Sequence, residues 1–220
     1  TVHDISDMDP ETQAKVDFYT KQFVDALAPS NYALTNPDVI QETIETGGDN
    51  LVRGLENLLK DLERGKGELR ISTTDYSAFE VGRNLAVTPG QVIYRNDLIE
   101  LIQYEPAGSK VHKTPLLIVP PWINKYYILD LRPDNSLIKW MVEQGHTVFA
   151  ISWVNPDARL AQKDFTAYMK EGVLAALDAV QTQTGETQVN AVGYCLGGTL
   201  LACTLAYLKQ TARETPVKSA

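Results

Sequence analysis

The sequence predicts an α/β fold preceded by an N-terminal helical segment, and three observations lead to this expectation. Apolar side chains recur at helical spacing in three stretches before residue 68. After residue 115, strand-like and helix-like patterns alternate in the order β-α-β-α-β, as they do in parallel α/β sheets. Lastly, the alternating strand pattern of residues 189–193 passes directly into a helical run of leucines at Cys195.

The N-terminal segment is expected to hold three amphipathic helices. Asp9 and Asn36 are capping residues, and each precedes a proline at the first helical position. The third helix is predicted over residues 49–64, where five leucines form one apolar face. We expect residues 1–67 to form a helical segment packed on a core made of residues 68–220.

The first strands are predicted where the helical period gives way to an extended one. Strands are expected at residues 69–72, 92–94 and 98–104, and the polar turn at 95–97 makes the last two a hairpin. Residues 115–119 are continuously apolar, a pattern typical of a strand buried on both faces of a parallel sheet.

The rest of the chain supplies the remaining α/β elements. Helices are predicted over residues 136–144 and 164–184, and strands over residues 146–153 and 189–193. Residues 216–220 resemble the opening of a further strand.

A Gly-x-Cys-x-Gly-Gly motif at residues 193–198, called the elbow below, occupies the strand-to-helix turn. Glycines two positions before and after Cys195 let the strand and helix crowd a residue held at positive φ. This arrangement is a nucleophile elbow with cysteine in the serine position. The amides of the following helix favour a thiolate, and the amide of Leu196 is predicted to face a developing oxyanion. The alternative is a cysteine that only packs in the core.

Residues 120–127 are expected at the same sheet edge as Cys195, because ligands bind at the carboxyl ends of parallel strands. The first two of these residues are prolines, which have no N–H to donate. The second oxyanion donor is therefore predicted to be the backbone amide of Trp122 or Ile123. The candidates for lining the substrate are Asn124, Tyr126 and Tyr127. A loop that only packs is the alternative for these side chains.

No histidine is a convincing base for the thiol. His146 opens a strand at its amino end, His112 lies in a polar connection, and His3 is near the terminus. In elbow enzymes the acid and base follow the nucleophile in the chain, but here no histidine follows the elbow and Glu214 is the only carboxylate. Residues 68–220 are therefore predicted to be the N-terminal part of a catalytic domain, truncated after the elbow helix and inactive alone.

Composition argues against several other classes of function. The 220 residues carry a formal net charge of -8 without a Lys/Arg-rich block, which argues against a nucleic-acid partner. No run approaches the roughly 18 apolar residues of a transmembrane segment, and no signal peptide is recognisable, so a cytoplasmic location is predicted. Cys195 and Cys203 are expected to be free thiols, with Cys203 in the core. Three scattered histidines offer no metal-ligand spacing, so neither a metal nor another cofactor is expected.

Taken together, the motifs resemble the polyhydroxyalkanoate synthases, most like the class I poly(3-hydroxybutyrate) type. The matching segments span nearly the whole chain and comprise residues 74–86, 99–104, 120–131, 144–149 and 193–198. The resemblance implies an α/β-hydrolase core and an acyltransferase that polymerises (R)-3-hydroxyacyl groups from coenzyme A thioesters through a thioester on Cys195. It also implies a catalytic Asp and His in the protein's own C-terminal portion, a mobile cap, and homodimers bound to the growing polyester at cytoplasmic granules.

Two other functions are compatible with the residues. A cysteine-dependent hydrolase, such as a thioesterase or a lactone hydrolase, would use the same elbow and release a free acid. A non-catalytic α/β scaffold would bind granules or partners through its helices and would not need Cys195.

Overall fold

The computed structural model describes residues 8–211 and 215–220, so that His3 and Glu214 lie outside the described residues. The chain divides into two compact units, Thr1–Asp75 and Tyr76–Ala220. The proposed division at residue 67 and the packing of the helices on the core stay predictions.

The first unit contains the three predicted helices, α1 (Pro10–Ala26), α2 (Pro37–Glu45) and α3 (Asp49–Arg64). The Asp9 side chain accepts hydrogen bonds from the amides of Glu11 and Thr12, and Asn36 caps α2 in the same way. These contacts satisfy amides that have no partner within the helix, which explains why the Asp-Pro and Asn-Pro pairs begin helices. The prediction of three helices is confirmed.

The strand predicted at residues 69–72 is wrong. This segment forms no strand, and its backbone bonds to side chains of α3 instead of to a neighbouring strand. The Ser72 amide donates to Asp61 Oδ1 at 3.2 Å, and the Arg64 guanidinium donates to the Arg70 carbonyl oxygen at 3.2 Å. An extended pattern alone does not make a strand when side chains satisfy the backbone first.

The second unit is built on a six-stranded mixed sheet. Its strands, together with a separate two-stranded ribbon of β4 and β5, are β1 (Gly90–Arg95), β2 (Ile99–Tyr104), β3 (Leu116–Val119), β4 (Asp130–Arg132), β5 (Asn135–Ser136), β6 (Val148–Trp153), β7 (Val189–Gly193) and β8 (Val217–Ser219). The order in the large sheet is β1-β2-β6-β3-β7-β8. Strands β1, β2 and β6 pair antiparallel, while β6, β3, β7 and β8 run parallel. The predicted α/β fold class is confirmed.

Helices cover both faces of this sheet. They are α4 (Leu137–Glu143), α5 (Phe165–Ala167), α6 (Ala175–Thr184) and α7 (Leu196–Gln210). The four residues of β3 are all buried and alternate between two cores. Leu117 and Val119 join the core that also includes residues of α6 and α7, whereas Leu116 and Ile118 join the core that includes residues of α4. Burial on both faces explains the continuous apolar run of this central strand.

The helix predicted over residues 164–184 is interrupted by a π-helix at Tyr168–Leu174, which joins α5 to α6. Gly172 lies in this π-helix and faces the indole of Trp153. A Cβ at Gly172 would lie 2.4 Å from Trp153 Cη2, so only glycine leaves room for the ring. The predicted extent of the long helix is confirmed, but the prediction of a continuous α-helix is wrong, because its middle is a π-helix.

Candidate active site

Cys195 lies between β7 and α7 with φ 56° and ψ -124°, and it is exposed to solvent. A positive φ is strained for a side chain with a Cβ, and such strain is tolerated only where surrounding structure fixes it. The alternative that this cysteine is sealed in the core is therefore wrong. The thiol is presented at the turn, as the elbow motif predicts.

The elbow glycines allow backbones to approach each other closely. A Cβ at Gly193 would lie 2.5 Å from Gly198 Cα, and a Cβ at Gly197 would lie 2.0 Å from the Val119 carbonyl oxygen. Both distances are far shorter than any tolerated carbon contact. The first glycine thus brings the end of β7 against the start of α7, and the second brings α7 against the end of β3.

The amide of Leu196 is available to a ligand. In the turn itself, Gly197 N–H donates to the Tyr194 carbonyl oxygen at 3.0 Å and Gly198 N–H to the Cys195 carbonyl oxygen at 2.9 Å. Among the hydrogen bonds of residues 8–211 and 215–220, none has the N–H of Leu196 as its donor. An unpaired amide at a helix N-terminus suits an oxyanion, since the helix dipole also favours negative charge there.

A second segment meets the elbow at the carboxyl end of β3. Val119 pairs with Gly193 in the parallel register, and the Tyr194 amide donates to the Val119 carbonyl oxygen at 3.1 Å. Residues 120–125, called the β3 turn below, therefore begin beside the elbow. Within the described part of the chain, the N–H groups of Trp122 and Ile123 also donate to no acceptor. Which of these two amides would act as an oxyanion donor stays a prediction.

The β3 turn borders an open cleft of about 330 Å³. Its lining residues are Trp122, Ile123, Asn124, Lys125, Trp153, Asn155 and Pro156. The Lys125 ammonium donates to Asn155 Oδ1 and so joins the turn to the segment after β6. The cleft has an aromatic wall together with amide groups and one cation, which suits a ligand with both apolar and polar parts.

The predicted lining residues lie at different places relative to this cleft. Asn124 lines it, whereas Tyr126 and Tyr127 belong to the following 3-10 helix, Tyr126–Leu129, and do not. Their rings pack edge to face with centroids 5.4 Å apart. Burial, with a smaller contribution from the charge of Asp130, raises the pKa of Tyr126. Tyr126 is therefore a neutral phenol in the physiological range.

Asp130 anchors the end of this segment from within the protein. Its carboxylate is buried, and Oδ1 accepts hydrogen bonds of 2.6 Å from the hydroxyls of Thr88 and Ser136. Ser136 also caps α4 through the Lys139 amide. Burial and the charge of Asp130 together raise the pKa of Tyr104, which lies nearby in β2.

Sequence reasoning missed an aromatic cluster beside the β3 turn. Trp122 contacts Trp153, Phe165 and Tyr168, with ring centroids 6.3, 6.2 and 5.2 Å apart. The available signal was the position of Trp153, which ends a buried strand in register with Phe149 and Ile151 on one sheet face. Gly172 in the middle of a predicted helix was a second signal.

The two described histidines lie away from the elbow, a position that was predicted for His146. His146 precedes the amino end of β6, whereas Cys195 follows the carboxyl end of the parallel strand β7. The rings of His112 and His146 are 4.8 Å apart, and His112 Nε2 is 3.1 Å from the Gln144 carbonyl oxygen. These histidines therefore interact with each other and with the α4 end, not with the thiol.

The prediction that Cys203 lies in the core is wrong. The buried side of α7 is formed by Leu200, Leu201, Thr204 and Leu208, whereas Cys203 is exposed. At 100° per residue, position 203 lies about 100° from the middle of the face that carries 200, 204 and 208, so it falls on the flank of the helix. Cys203 is thus an accessible thiol two helical turns from Cys195.

Neither a cluster of metal ligands nor a membrane-spanning helix is found among the described residues. In ranges 8–211 and 215–220, no group of three or more His, Cys, Asp and Glu side chains is arranged to hold a metal ion. No helix in the same ranges has the length and apolar character needed to cross a membrane.

Comparison with known proteins gives consistent matches. The family model described as "Poly-beta-hydroxybutyrate polymerase (PhaC) N-terminus" matches residues 1–141. A poly(3-hydroxyalkanoate) polymerase of Methylorubrum extorquens is 57% identical over 97% of this chain and 35% of the relative. The corresponding polymerase subunit PhaC of Cupriavidus necator is 46% identical over 93% of this chain and 34% of the relative.

A solved α/β hydrolase from Novosphingobium aromaticivorans is 16% identical, with a TM-score of 0.34, over 54% of this chain and 39% of that chain. The present chain spans about a third of the length of the curated polymerases that it matches. From the family model, which covers more than half of the residues, and from relatives 46–57% identical along nearly the whole sequence, the chain belongs to the poly-beta-hydroxybutyrate polymerase (PhaC) family.

Proposed function

We propose that the full-length protein containing this chain polymerises (R)-3-hydroxyacyl groups from their coenzyme A thioesters, with Cys195 as the covalent nucleophile. The single observation that supports this most is an exposed cysteine held at positive φ directly before the unpaired amide of Leu196. Family membership adds the class of reaction, since the relatives are named poly(3-hydroxyalkanoate) polymerases.

The proposed acylation step uses the groups at the elbow and in the β3 turn. The Cys195 thiolate attacks the thioester carbonyl, and the amides of Leu196 and of Trp122 or Ile123 stabilise the tetrahedral oxyanion. Collapse of the intermediate expels the coenzyme A thiolate and leaves the acyl group on Cys195. Because one thioester replaces another, this step is nearly neutral in free energy and the leaving thiol departs readily.

Chain growth needs a hydroxyl nucleophile and a base. The 3-hydroxyl of one unit attacks the acyl thioester of another, which forms an ester bond and frees a thiol. We assign the deprotonation of Cys195 and of this hydroxyl to a histidine that is oriented by an aspartate. In this proposal both residues belong to the C-terminal portion of the full-length protein and lie outside residues 1–220. Neither a metal nor a resident cofactor takes part in this proposal, and coenzyme A enters only as part of the substrate.

The test uses the full-length protein and 3-hydroxybutyryl-coenzyme A. We expect release of coenzyme A together with insoluble polyester, and an acyl group on the Cys195 peptide that neutral hydroxylamine removes. Release of 3-hydroxybutyric acid without polymer would instead establish a cysteine hydrolase.

The chain provides a matched control for the nucleophile. Cys195→Ala is expected to abolish coenzyme A release, whereas Cys203→Ala changes a thiol that is also exposed but lies on the flank of α7 and is expected to retain full activity. Unchanged turnover in Cys195→Ala would contradict the proposal and support the scaffold function.

The same proposal places the protein in the cytoplasm at the surface of polyester granules, as a homodimer. An enzyme that holds a growing insoluble chain as a thioester remains attached to its product. We therefore expect the protein to sediment with newly formed polymer, and the Cys195→Ala variant to remain in the supernatant under the same conditions.

A further inference from the structure

The β3 turn begins with two prolines, so it has no N–H at residues 120 and 121 with which to hold itself in place. What fixes it instead is a side chain from the neighbouring strand. The indole N–H of Trp153, at the end of β6, donates to the Pro120 carbonyl oxygen at 2.7 Å, and this bond is buried. A buried carbonyl oxygen that loses its donor is left unsatisfied, so the bond restrains the position of the Pro120 peptide.

The elbow also restrains the Pro120 peptide. A Cβ at Gly197 would lie 2.8 Å from the Pro120 carbonyl oxygen, in addition to its 2.0 Å approach to that of Val119. The start of α7 therefore packs directly against the peptide that Trp153 binds. A displacement of this peptide changes the position of the β3 turn relative to Cys195.

Trp153 is itself held rigidly. Its ring contacts Tyr168, with centroids 5.3 Å apart, and meets Trp122 edge to face at 6.3 Å. The same ring fills the space left by Gly172 in the π-helix, where a Cβ would lie 2.4 Å from Cη2. The strand, the π-helix and the β3 turn thus converge on one indole.

From these contacts we infer that Trp153 is a positioning residue for acyl transfer: its indole N–H fixes the β3 turn so that the amide of Trp122 or Ile123 meets the oxyanion that forms above Cys195. The inference rests on the proposed function. In this role Trp153 acts through the Pro120 peptide and not on the thiol, although its ring also lines the cleft beside the β3 turn.

Two reactions of the Cys195 thiol distinguish a misplaced oxyanion donor from a general loss of structure at the site. In acylation, the Cys195 sulfur bonds to the thioester carbonyl carbon through an oxyanion and coenzyme A leaves with the proton of the thiol. In alkylation by iodoacetamide, the sulfur displaces iodide directly from a methylene carbon and no oxyanion forms. A misplaced oxyanion donor therefore slows the first reaction and not the second.

The test variant is Trp153→Phe in the full-length protein, which keeps a ring but removes the N–H donor. We expect the rate of Cys195 acylation by 3-hydroxybutyryl-coenzyme A, measured as the burst of coenzyme A release, to fall about 10- to 100-fold. The rate of alkylation by iodoacetamide should stay within about twofold, and KM should change less than kcat. Trp140→Phe is the matched control, because Trp140 is exposed on α4, and it should leave both rates unchanged.

A second replacement distinguishes the loss of the N–H donor from a folding defect. β-(3-Benzothienyl)alanine at position 153 has nearly the shape of tryptophan, with sulfur in place of the N–H, and should reproduce the selective loss of acylation. Unchanged acylation in this variant would overturn the inference, and so would an equal fall in acylation and alkylation. Failure of the proposed function is seen separately, in the wild-type protein, as absence of polyester; the two rates then remain measurable with S-phenyl thioacetate as the acyl donor.

Discussion

The elbow and the β3 turn form two sides of one candidate active site, but they are fixed by contacts of very different range along the chain. The bonds within the elbow join residues three positions apart, such as the 3.0 Å bond from Gly197 N–H to the Tyr194 carbonyl oxygen. The β3 turn is held by side chains that follow it by about 30 residues, namely Trp153 at Pro120 and Asn155 at Lys125. Only the first kind of restraint is visible as a local motif.

The largest effect is expected where the two sides touch. Gly197→Ala would place a Cβ 2.0 Å from the Val119 backbone oxygen, which no side-chain rotation can relieve. The end of β3 and the start of α7 must separate, so we expect acylation of Cys195 to fall by about 100- to 1,000-fold. Overpacking should also lower the free energy of unfolding by about 1–3 kcal/mol. The measurements are burst kinetics and thermal unfolding.

Gly108→Ala is the control for that variant. Nothing lies within 4 Å of a Cβ placed at Gly108, which has no positive φ. Its acylation rate and unfolding free energy should match those of the wild-type protein. If Gly197→Ala kept wild-type kinetics, the close contact between the two sides would have no part in catalysis.

The sequence separation of the residues that contact each other explains how much of the fold could be predicted. Helix caps, the buried run of β3 and the Gly-x-Cys-x-Gly-Gly motif depend on neighbours in the sequence, and the corresponding elements form as expected. The strand predicted at residues 69–72 does not form, because the Ser72 amide donates to the Asp61 side chain and the Arg70 carbonyl oxygen accepts from the Arg64 guanidinium. No strand pattern encodes these contacts.

The candidate site likewise combines features that the local sequence predicts with features that it does not. The position of Cys195 and the free Leu196 amide follow from the motif. The bond from Trp153 to Pro120 does not, because it depends on β6 lying next to β3 in the sheet. Likewise, the sequence alone indicates only that Gly172 disfavours a helix. The need for glycine at this position comes from the Trp153 ring, which packs against it. Local patterns thus predict the nucleophile, whereas strand order determines what positions the groups around it.

A smaller effect is expected at the far end of the β3 turn. Asn155→Ala removes the acceptor of the Lys125 ammonium at the rim of the cleft. Both groups are exposed, so water replaces much of the lost bond, and we expect kcat/KM for 3-hydroxybutyryl-coenzyme A to fall about two- to tenfold. Asn135→Ala, exposed on β5 and outside this cleft, is the control and should have no effect. A fall as large as that of Gly197→Ala would contradict the view that the turn is fixed mainly from its Pro120 end.

The smallest effect concerns Tyr126, which follows the β3 turn. Because burial raises its pKa, the folded protein holds the phenolic proton more tightly than the unfolded chain, whose tyrosines titrate near pH 10. The stabilisation is therefore complete below about pH 10 and is lost as the pH rises through the folded-state pKa. Tyr126→Phe should make the loss of stability above pH 10 less steep and leave acylation between pH 6 and 9 without a new pH dependence.

Tyr104 provides the comparison for this titration. Burial raises its pKa as well, and its side chain is only 3% exposed, so Tyr104→Phe should reduce the alkaline loss of stability more than Tyr126→Phe does. The measurement is urea unfolding at several pH values, with phenolate absorbance followed in the folded protein. A changed pH dependence of acylation near neutrality in Tyr126→Phe would show that the phenol takes part in proton transfer, and the segment after the β3 turn would then contribute a titrating group beside the backbone amide of the turn.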